Sequence, residues 1–242
     1  MKQLDLSTTR FANRPCLLEP KMAALMARVG MNAEPGDAEV LEHTGRIAIV
    51  EARGILLHRA GTGIPGWYVG YDGIVSAVAG AIESGAKAVM LVLDSPGGEV
   101  AGAFDAAEQL HAMRGEVPIW AIADEQATSG AYLLASAADR VIVPRTAQIG
   151  SIGVVTAHMD HSQMLENAGL KVTLIHAGAH KVDGNPYQAL PESVRSRVQK
   201  DLDELYRGFV GMVARFRGVS ERKIRDTQAR IYMGKAAGRW TG

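Results

Sequence analysis

Four short segments carry residue types that could perform acyl transfer if the fold brings them together. In "ATSGAY", Ser129 stands between an apolar run and an alanine-rich helical run. A hydroxyl at such a helix start has two uses. It can cap the helix by accepting from first-turn N–H groups, or it can point out of the turn as a nucleophile beside the positive end of the helix dipole. "DSPGGEV" places Gly97 and Gly98 after a buried strand. Paired glycines there either make an ordinary turn or let backbone N–H groups approach a ligand closely, as an oxyanion hole requires. In "QIGSIGVV", Ser151 is the one hydroxyl, suited to a local turn hydrogen bond. "HAGAHKVDGNPY" puts Lys181 in a loop with Gly, Ala and Asn rather than on a charged helical face. A loop lysine is ordinarily solvated. Each segment alone is weak.

The chemistry that would join them is nucleophilic catalysis. A serine hydroxyl attacks poorly until a neighbour takes its proton, and a lysine amine does so only when neutral. Burial without a paired carboxylate favours the neutral amine. The apolar Ile149, Ile152 and Val154 around Ser151 could supply such surroundings.

Other motifs lead elsewhere. "GTGIPG" fits a dinucleotide-binding G-x-G-x-x-G, but Pro65 and "WYVGYDG" separate it from the helix that should hold the pyrophosphate, so it reads as a surface loop. "SERK" fits S-x-x-K without its companion motifs and reads as a helix cap at Ser220 with a solvated lysine. No G-x-S-x-G is present, and the seven histidines lack metal-ligand spacing. Neither a metal nor a cofactor is expected.

The elements that must position these residues belong to an ordinary globular chain, 47% hydrophobic and 21% charged over 242 residues. Lys plus Arg and Asp plus Glu are 26 each, so no field gathers nucleic acid or anionic membrane. Cys16 is the one cysteine, which excludes disulfides within the chain and fits a reducing compartment. Asp5, Arg10 and Arg14 interrupt the start, and no uncharged run reaches a membrane-spanning length, so a soluble, unexported protein without a membrane anchor is expected.

Residues 1–44 read as an N-terminal arm, with a short amphipathic helix in "PKMAALMARV". From residue 45 onward, apolar runs alternate with helical stretches. "RIAIVEARGIL", "KAVMLVLDSPGG", "PIWAIAD", "RVIVP" and "KVTLIHAG" read as strands. "YDGIVSAVAGAIESG", with Asp72 as N-cap and Gly85 as stop, reads as a helix, as do "EVAGAFDAAEQLHAMRG", "SGAYLLASAAD" and "HSQMLENAGL". This alternation predicts an α/β fold on a largely parallel sheet. Residues 189–242 form a helical segment, whose long helix carries Val194, Val198, Leu202, Leu205, Phe209, Val213 and Phe216 at helical spacing and ends at Gly218.

"DSPGG", "ATSGAYLLASAADRVIVPRTAQIGSIGVV" and "LIHAGAHKVDGNP" succeed one another in an order and spacing that resemble the S49 peptidases, the signal peptide peptidase A family. The likeness runs from about residue 46 to 235, including "ARIYMGKAA", and is nearest to the soluble phage and prophage head maturation or capsid assembly proteases. The resemblance implies a ClpP/crotonase-like fold over residues 45–242, assembled into a homo-oligomeric ring. It implies Ser129 as nucleophile, Lys181 as general base, and Ser151 as the serine whose hydroxyl holds the lysine amine. Gly98 and Gly130 would supply the backbone N–H groups of the oxyanion hole. A substrate peptide would lie along Gly97, Glu99 and Val100 by strand addition. Scaffold, portal or capsid proteins would be cleaved in the host cytoplasm or the prohead. The resemblance also implies a further closing strand after "MGKAAG", so the ending "RWTG" reads as truncated or as lacking that element.

Rival readings remain open on the sequence alone. A serine-histidine-aspartate triad could draw on His158, His161 or His180 with Asp183. A soluble housekeeping peptidase, a crotonase-type acyl-CoA enzyme with the same oxyanion geometry, or a catalytically silent assembly module would use the same fold differently.

Overall fold

A computed structural model of the chain describes residues 16–18, 39–44, 47–59, 68–234 and 236. Its strands are β1 (Cys16–Leu18), β2 (Glu39–Thr44), β3 (Ile47–Arg53), β4 (Ile55–Leu57), β5 (Tyr68–Gly70), β6 (Ala88–Ser95), β7 (Gly97–Glu99), β8 (Ile119–Thr128), β9 (Arg140–Ile142), β10 (Gln148–Gly150) and β11 (Ile231–Met233). Its helices are α1 (Tyr71–Glu83), α2 (Ala103–Ala112), α3 (Gly130–Ala137), α4 (Ser162–Asn167), α5 (Glu192–Arg217) and α6 (Glu221–Arg225).

The predicted α/β organisation is present, in two sheets. The larger has the strand order β11-β10-β8-β6-β3-β2, with β9 also paired to β8. Its inner strands run parallel, while β2 and β11 pair antiparallel at the edges. The smaller sheet has the order β1-β7-β4-β5. Strands β1 and β2, from the N-terminal arm, thus pair with β7 and β3 of the body.

Period-two burial explains how the larger sheet takes its helices. Ala48, Val50 and Ala52 of β3, Val89, Leu91 and Leu93 of β6, and Ile119, Ala121 and Ala123 of β8 are buried. They share one core with Ile74 and Val78 of α1, Leu110 of α2, Leu133 and Leu134 of α3, and Phe209 and Val213 of α5. The many alanines let α3, itself buried along its whole length, sit close to the strands. On α5 the predicted stripe is deeply buried in its C-terminal half, and Gly218 ends the helix at φ 62°.

Three local expectations are corrected. "RIAIVEARGIL" is two strands, because Gly54 between them takes φ 86°. The N-cap of α1 is Gly70, while Asp72 sits in the first turn and accepts the Gly73 N–H at 2.9 Å. "KVTLIHAG" forms no strand, and its Ile175 is 96% exposed. The outer side of β10 is taken instead by β11, a strand that the sequence pattern does not announce. Ser220 does cap α6, accepting the Lys223 N–H at 3.3 Å. The helix expected at residues 20–29 and the glycine-rich loop at 61–66 lie outside the described residues. Among the described residues, no helix is long and apolar enough to cross a membrane.

Phe209 is fully buried where α5 meets the core. Phe209→Ala is expected to cost about 3–5 kcal/mol of stability, read as a lowered urea midpoint with an unchanged slope.

Candidate active site

Three parallel strands end side by side. Ser95 at the end of β6 pairs with Ala127, and Thr128 at the end of β8 pairs with Gly150 at the end of β10. The carboxyl ends of parallel strands are where open α/β sheets place their ligands. The register also contains an irregularity. From Leu93↔Ala123 to Ser95↔Ala127, β6 advances two residues while β8 advances four. Glu125 within that bulge takes φ 70°, and its carboxylate accepts the Thr146 hydroxyl at 3.0 Å. Such a bulge re-aims the chain beyond it, and the first residue past the end of β8 is Ser129.

Ser129 is 1% exposed and joins β8 to α3. Its backbone angles are φ 57° and ψ −121°, and although it occupies the N-cap position its side chain makes no capping hydrogen bond. The capping use of the hydroxyl is therefore not the one realised. A non-glycine residue in this region costs on the order of 1–3 kcal/mol and persists only where its surroundings impose it. Two backbone bonds impose it here: the Ser129 N–H donates to the Gly150 carbonyl at 2.7 Å, and the Ser129 carbonyl accepts the Leu133 N–H at 3.1 Å. Gly130, next in the chain, opens α3, where first-turn N–H groups have no partner within the helix. Tyr132 lies in the same helix, and burial pushes its phenol up to about 12, against the opposing charge of Arg217, so it stays neutral.

Strand β7 lies against α3. It pairs with β4, with Leu56 opposite Gly98. A Cβ at Gly98 would stand 1.7 Å from the Leu56 carbonyl oxygen, so only glycine fits. Gly97 takes φ 95° and donates its N–H to the Ser95 hydroxyl at 3.1 Å. Ser95, fully buried, is a site residue that sequence reasoning missed; its place in "DSPGG" was the available signal. Glu99 is buried as well. Its carboxylate accepts the His58 N–H at 2.9 Å, and its carbonyl accepts the Tyr71 hydroxyl at 2.9 Å. Its side chain thus anchors β7 in place. Val100 comes next, its carbonyl accepting the Ala103 N–H at 3.0 Å where α2 begins.

Ser151 succeeds Gly150 at the end of β10, is 8% exposed, and takes φ 56°. Its N–H donates to the Arg230 carbonyl at 3.0 Å. The same carbonyl crowds Gly150, whose Cβ would stand 2.5 Å from it. The structure therefore brings Ser129, Gly130 and Ser151 together at the carboxyl ends of β8 and β10, with β7 packed against α3 beside them.

Lys181 is placed differently. It lies on an exposed turn, its N–H donating to the Gly178 carbonyl at 3.1 Å, and no hydrogen bond among the described residues joins it to Ser129 or Ser151. The turn is held from its far side. Asp183 pairs with Arg197 of α5, and His158 meets the Asn185 carbonyl at 2.9 Å. A cavity of about 390 Å³ lies there, bordered by His158, Asp183, Val194 and Leu202. His180 contacts Asp183 at 2.8 Å, but its side chain is 76% exposed, and the buried Ser129 has no hydrogen bond to it. Hydrogen bonds from Arg197 and then His180 hold the Asp183 carboxyl below its ordinary range. His161 ties its N–H to the Pro186 carbonyl at 2.8 Å. Among the described residues, no group of His, Cys, Asp or Glu is arranged to hold a metal ion.

The pattern of peptidase family S49 matches residues 111–240, more than half of the chain and a stretch that contains Ser129, Ser151 and Lys181. The chain belongs to peptidase family S49. Over 201 residues this S49 chain is 41% identical to the head-tail preconnector protein GP5 of Enterobacteria phage P21, across 82% of its own length and 40% of that protein's. Over 238 residues it is 37% identical to the capsid assembly protease C of Escherichia phage lambda, across 97% of its own length and 54% of that protein's. The chain thus spans about half or less of these relatives. Among solved structures, a ClpP1 variant from Listeria monocytogenes superposes with a TM-score of 0.47 and 10% identity, over 80% of this chain and 86% of that one.

The strain at Ser129 is directly measurable. Glycine relieves it while alanine retains it, so Ser129→Gly is expected to be more stable than Ser129→Ala by about 1 kcal/mol after the greater chain entropy of glycine is offset. Thermal unfolding of the two variants side by side reads the difference.

Proposed function

We propose that this chain is a serine endopeptidase in which Ser129 is the nucleophile and Lys181 the general base, acting on capsid, scaffold or portal proteins during phage head maturation. The observation that carries the reading is Ser129 itself, strained at the end of β8 with its hydroxyl unused as a cap. Family membership and the names of the two phage relatives support the substrate class.

In this reading the Lys181 amine takes the proton as the Ser129 oxygen attacks a peptide carbonyl. The tetrahedral oxyanion is held by the N–H groups of Gly98 and Gly130. The protonated amine then returns its proton to the departing peptide nitrogen, leaving an acyl ester on Ser129. Water, deprotonated by the same amine, attacks that ester and releases the acid product. Ser151, which follows Gly150 where β10 ends opposite Thr128 of β8, would orient the amine in this reading. The substrate backbone lies along β7, beside Gly97, Glu99 and Val100.

A homo-oligomeric ring completes the reading. Leu170, Val172, Leu174 and Ile175, which lead into the Lys181 turn, are large apolar residues left exposed. Burying this run against a second copy would also exclude water from the turn, and burial away from carboxylates favours a neutral lysine amine.

Ser129→Ala and Lys181→Ala are each expected to lower cleavage of a casein-like or portal-derived substrate by at least about a thousandfold. Because the base works only when deprotonated, wild-type activity is expected to rise toward alkaline pH. A bell-shaped profile in the range of a histidine, or activity surviving Lys181→Ala, would move the base to a histidine. Ile175→Asp is expected to shift the assembly to smaller species in light scattering and to reduce activity in parallel.

A further inference from the structure

The strand that carries the oxyanion glycine is paired on both of its edges. One edge of β7 is closed by β4, with Leu56 opposite Gly98. The other is occupied by β1, antiparallel, with Cys16 opposite Glu99, Leu17 opposite Gly98 and Leu18 opposite Gly97. A substrate adding to β7 must use the second edge, because the first is built into the smaller sheet and leaves no room even for a Cβ at Gly98. β1 therefore lies where the substrate backbone has to lie.

We infer that Cys16–Leu18 is an internal substrate mimic held on the peptide-binding edge, and that substrate peptides bind antiparallel to β7 in its place, with an uncharged, apolar residue across from Gly98. The inference rests on the serine-peptidase reading of Ser129 and adds to it a substrate class and an internal competitor.

Three observations carry it. The register centres the segment on Gly98, the residue whose N–H belongs to the oxyanion hole in that reading. The strand is antiparallel, of the kind that β-strand addition produces without a crossover, and its sequence, Cys-Leu-Leu, is apolar and uncharged. It is also short, three residues at the end of a four-stranded sheet, so few backbone bonds hold it. Exchange with an incoming peptide then needs only the release of those bonds. A segment tethered within the same chain meets its site at an effective concentration of roughly millimolar. It therefore raises the apparent KM by the reciprocal of the fraction of time that it is undocked.

N–H groups alternate in direction along a strand, so replacing two successive residues by proline removes whichever one faces β7. The test uses the full chain carrying Leu17→Pro with Leu18→Pro, against a control carrying Leu17→Ala with Leu18→Ala, which keeps both N–H groups. On a Ser129→Ala background, a fluorescently labelled apolar heptapeptide is expected to bind the proline variant about tenfold more tightly than the alanine control in anisotropy titrations. In chains retaining Ser129, KM for the same peptide is expected to fall by about the same factor with kcat unchanged. A synthetic peptide of residues 13–20 is expected to bind the proline variant and to inhibit its cleavage competitively. Equal affinity in the two variants, or a synthetic peptide that neither binds nor competes, would overturn the inference. Labelling of Ser129 by a fluorophosphonate separates the two levels. Labelling and cleavage with equal peptide affinities leave the peptidase standing and remove the mimic, whereas tighter peptide binding without labelling or cleavage removes the peptidase and keeps the binding edge.

Discussion

The hydrogen bond from the Ser129 N–H to the Gly150 carbonyl, 2.7 Å long, is the constraint on which the candidate site depends. It turns the serine amide sideways into the neighbouring strand end instead of along the helix, and so fixes the positive φ that lifts the hydroxyl out of the capping position. Gly150, which accepts that bond, has its own backbone at φ 103° and lies close against the Arg230 carbonyl, which also receives the Ser151 N–H. Arg230 is in turn held by its N–H donating to the Thr227 carbonyl at 3.0 Å, and the Thr227 hydroxyl donates to the Ile224 carbonyl at 2.7 Å. The backbone of Ser129 is thus set by a relay of backbone bonds ending in the turn after α6. Substitutions in that turn can reach the site without touching it.

A second constraint acts on β7. The approach of Gly98 to the Leu56 carbonyl excludes every side chain, while Glu99 is pinned through both its carboxylate and its carbonyl. A strand held this firmly on one side can offer its other side as a template without moving. Preorganised donors lose no reorganisation energy at the moment charge develops on a substrate oxygen.

Much of this was legible in the sequence, for reasons that are local. Periodicity gave the parallel strands and helices, because burial on one face of a strand alternates by two and on a helix by about 3.6. The glycines of "DSPGG" pointed to close backbone approach, which Gly98 does make. The parts that were not legible depend on partners far along the chain. Asp72 has the chemistry of an N-cap, yet the helix starts earlier because β5 leads straight into it. "KVTLIHAG" has the pattern of a strand, but a strand forms only with a pairing partner, and the place beside β10 belongs to β11. The bulge at Glu125 arises from register between β6 and β8, and a single segment carries no register. The Ser129 bond to Gly150 is likewise a property of two strand ends meeting.

The division between held and exposed parts bears on how such a chain would be controlled. Ser129 and Ser151 sit at the end of a packed sheet with their backbones over-determined, whereas Lys181 rides on an exposed turn fastened only at its flank, by Asp183 to Arg197 and by Asn185 to His158. A strained nucleophile loses its aim with small displacements, so it belongs on the rigid element. A lysine base works only when neutral, and the neutral form is favoured by exclusion of water. With Lys181 as the proposed base, its place on a surface turn next to exposed Leu174 and Ile175 would tie its competence to whatever covers that surface. In the proposed reading the fold of one chain supplies the aim of the serine, and burial of the Lys181 turn would supply the surroundings that favour a neutral amine.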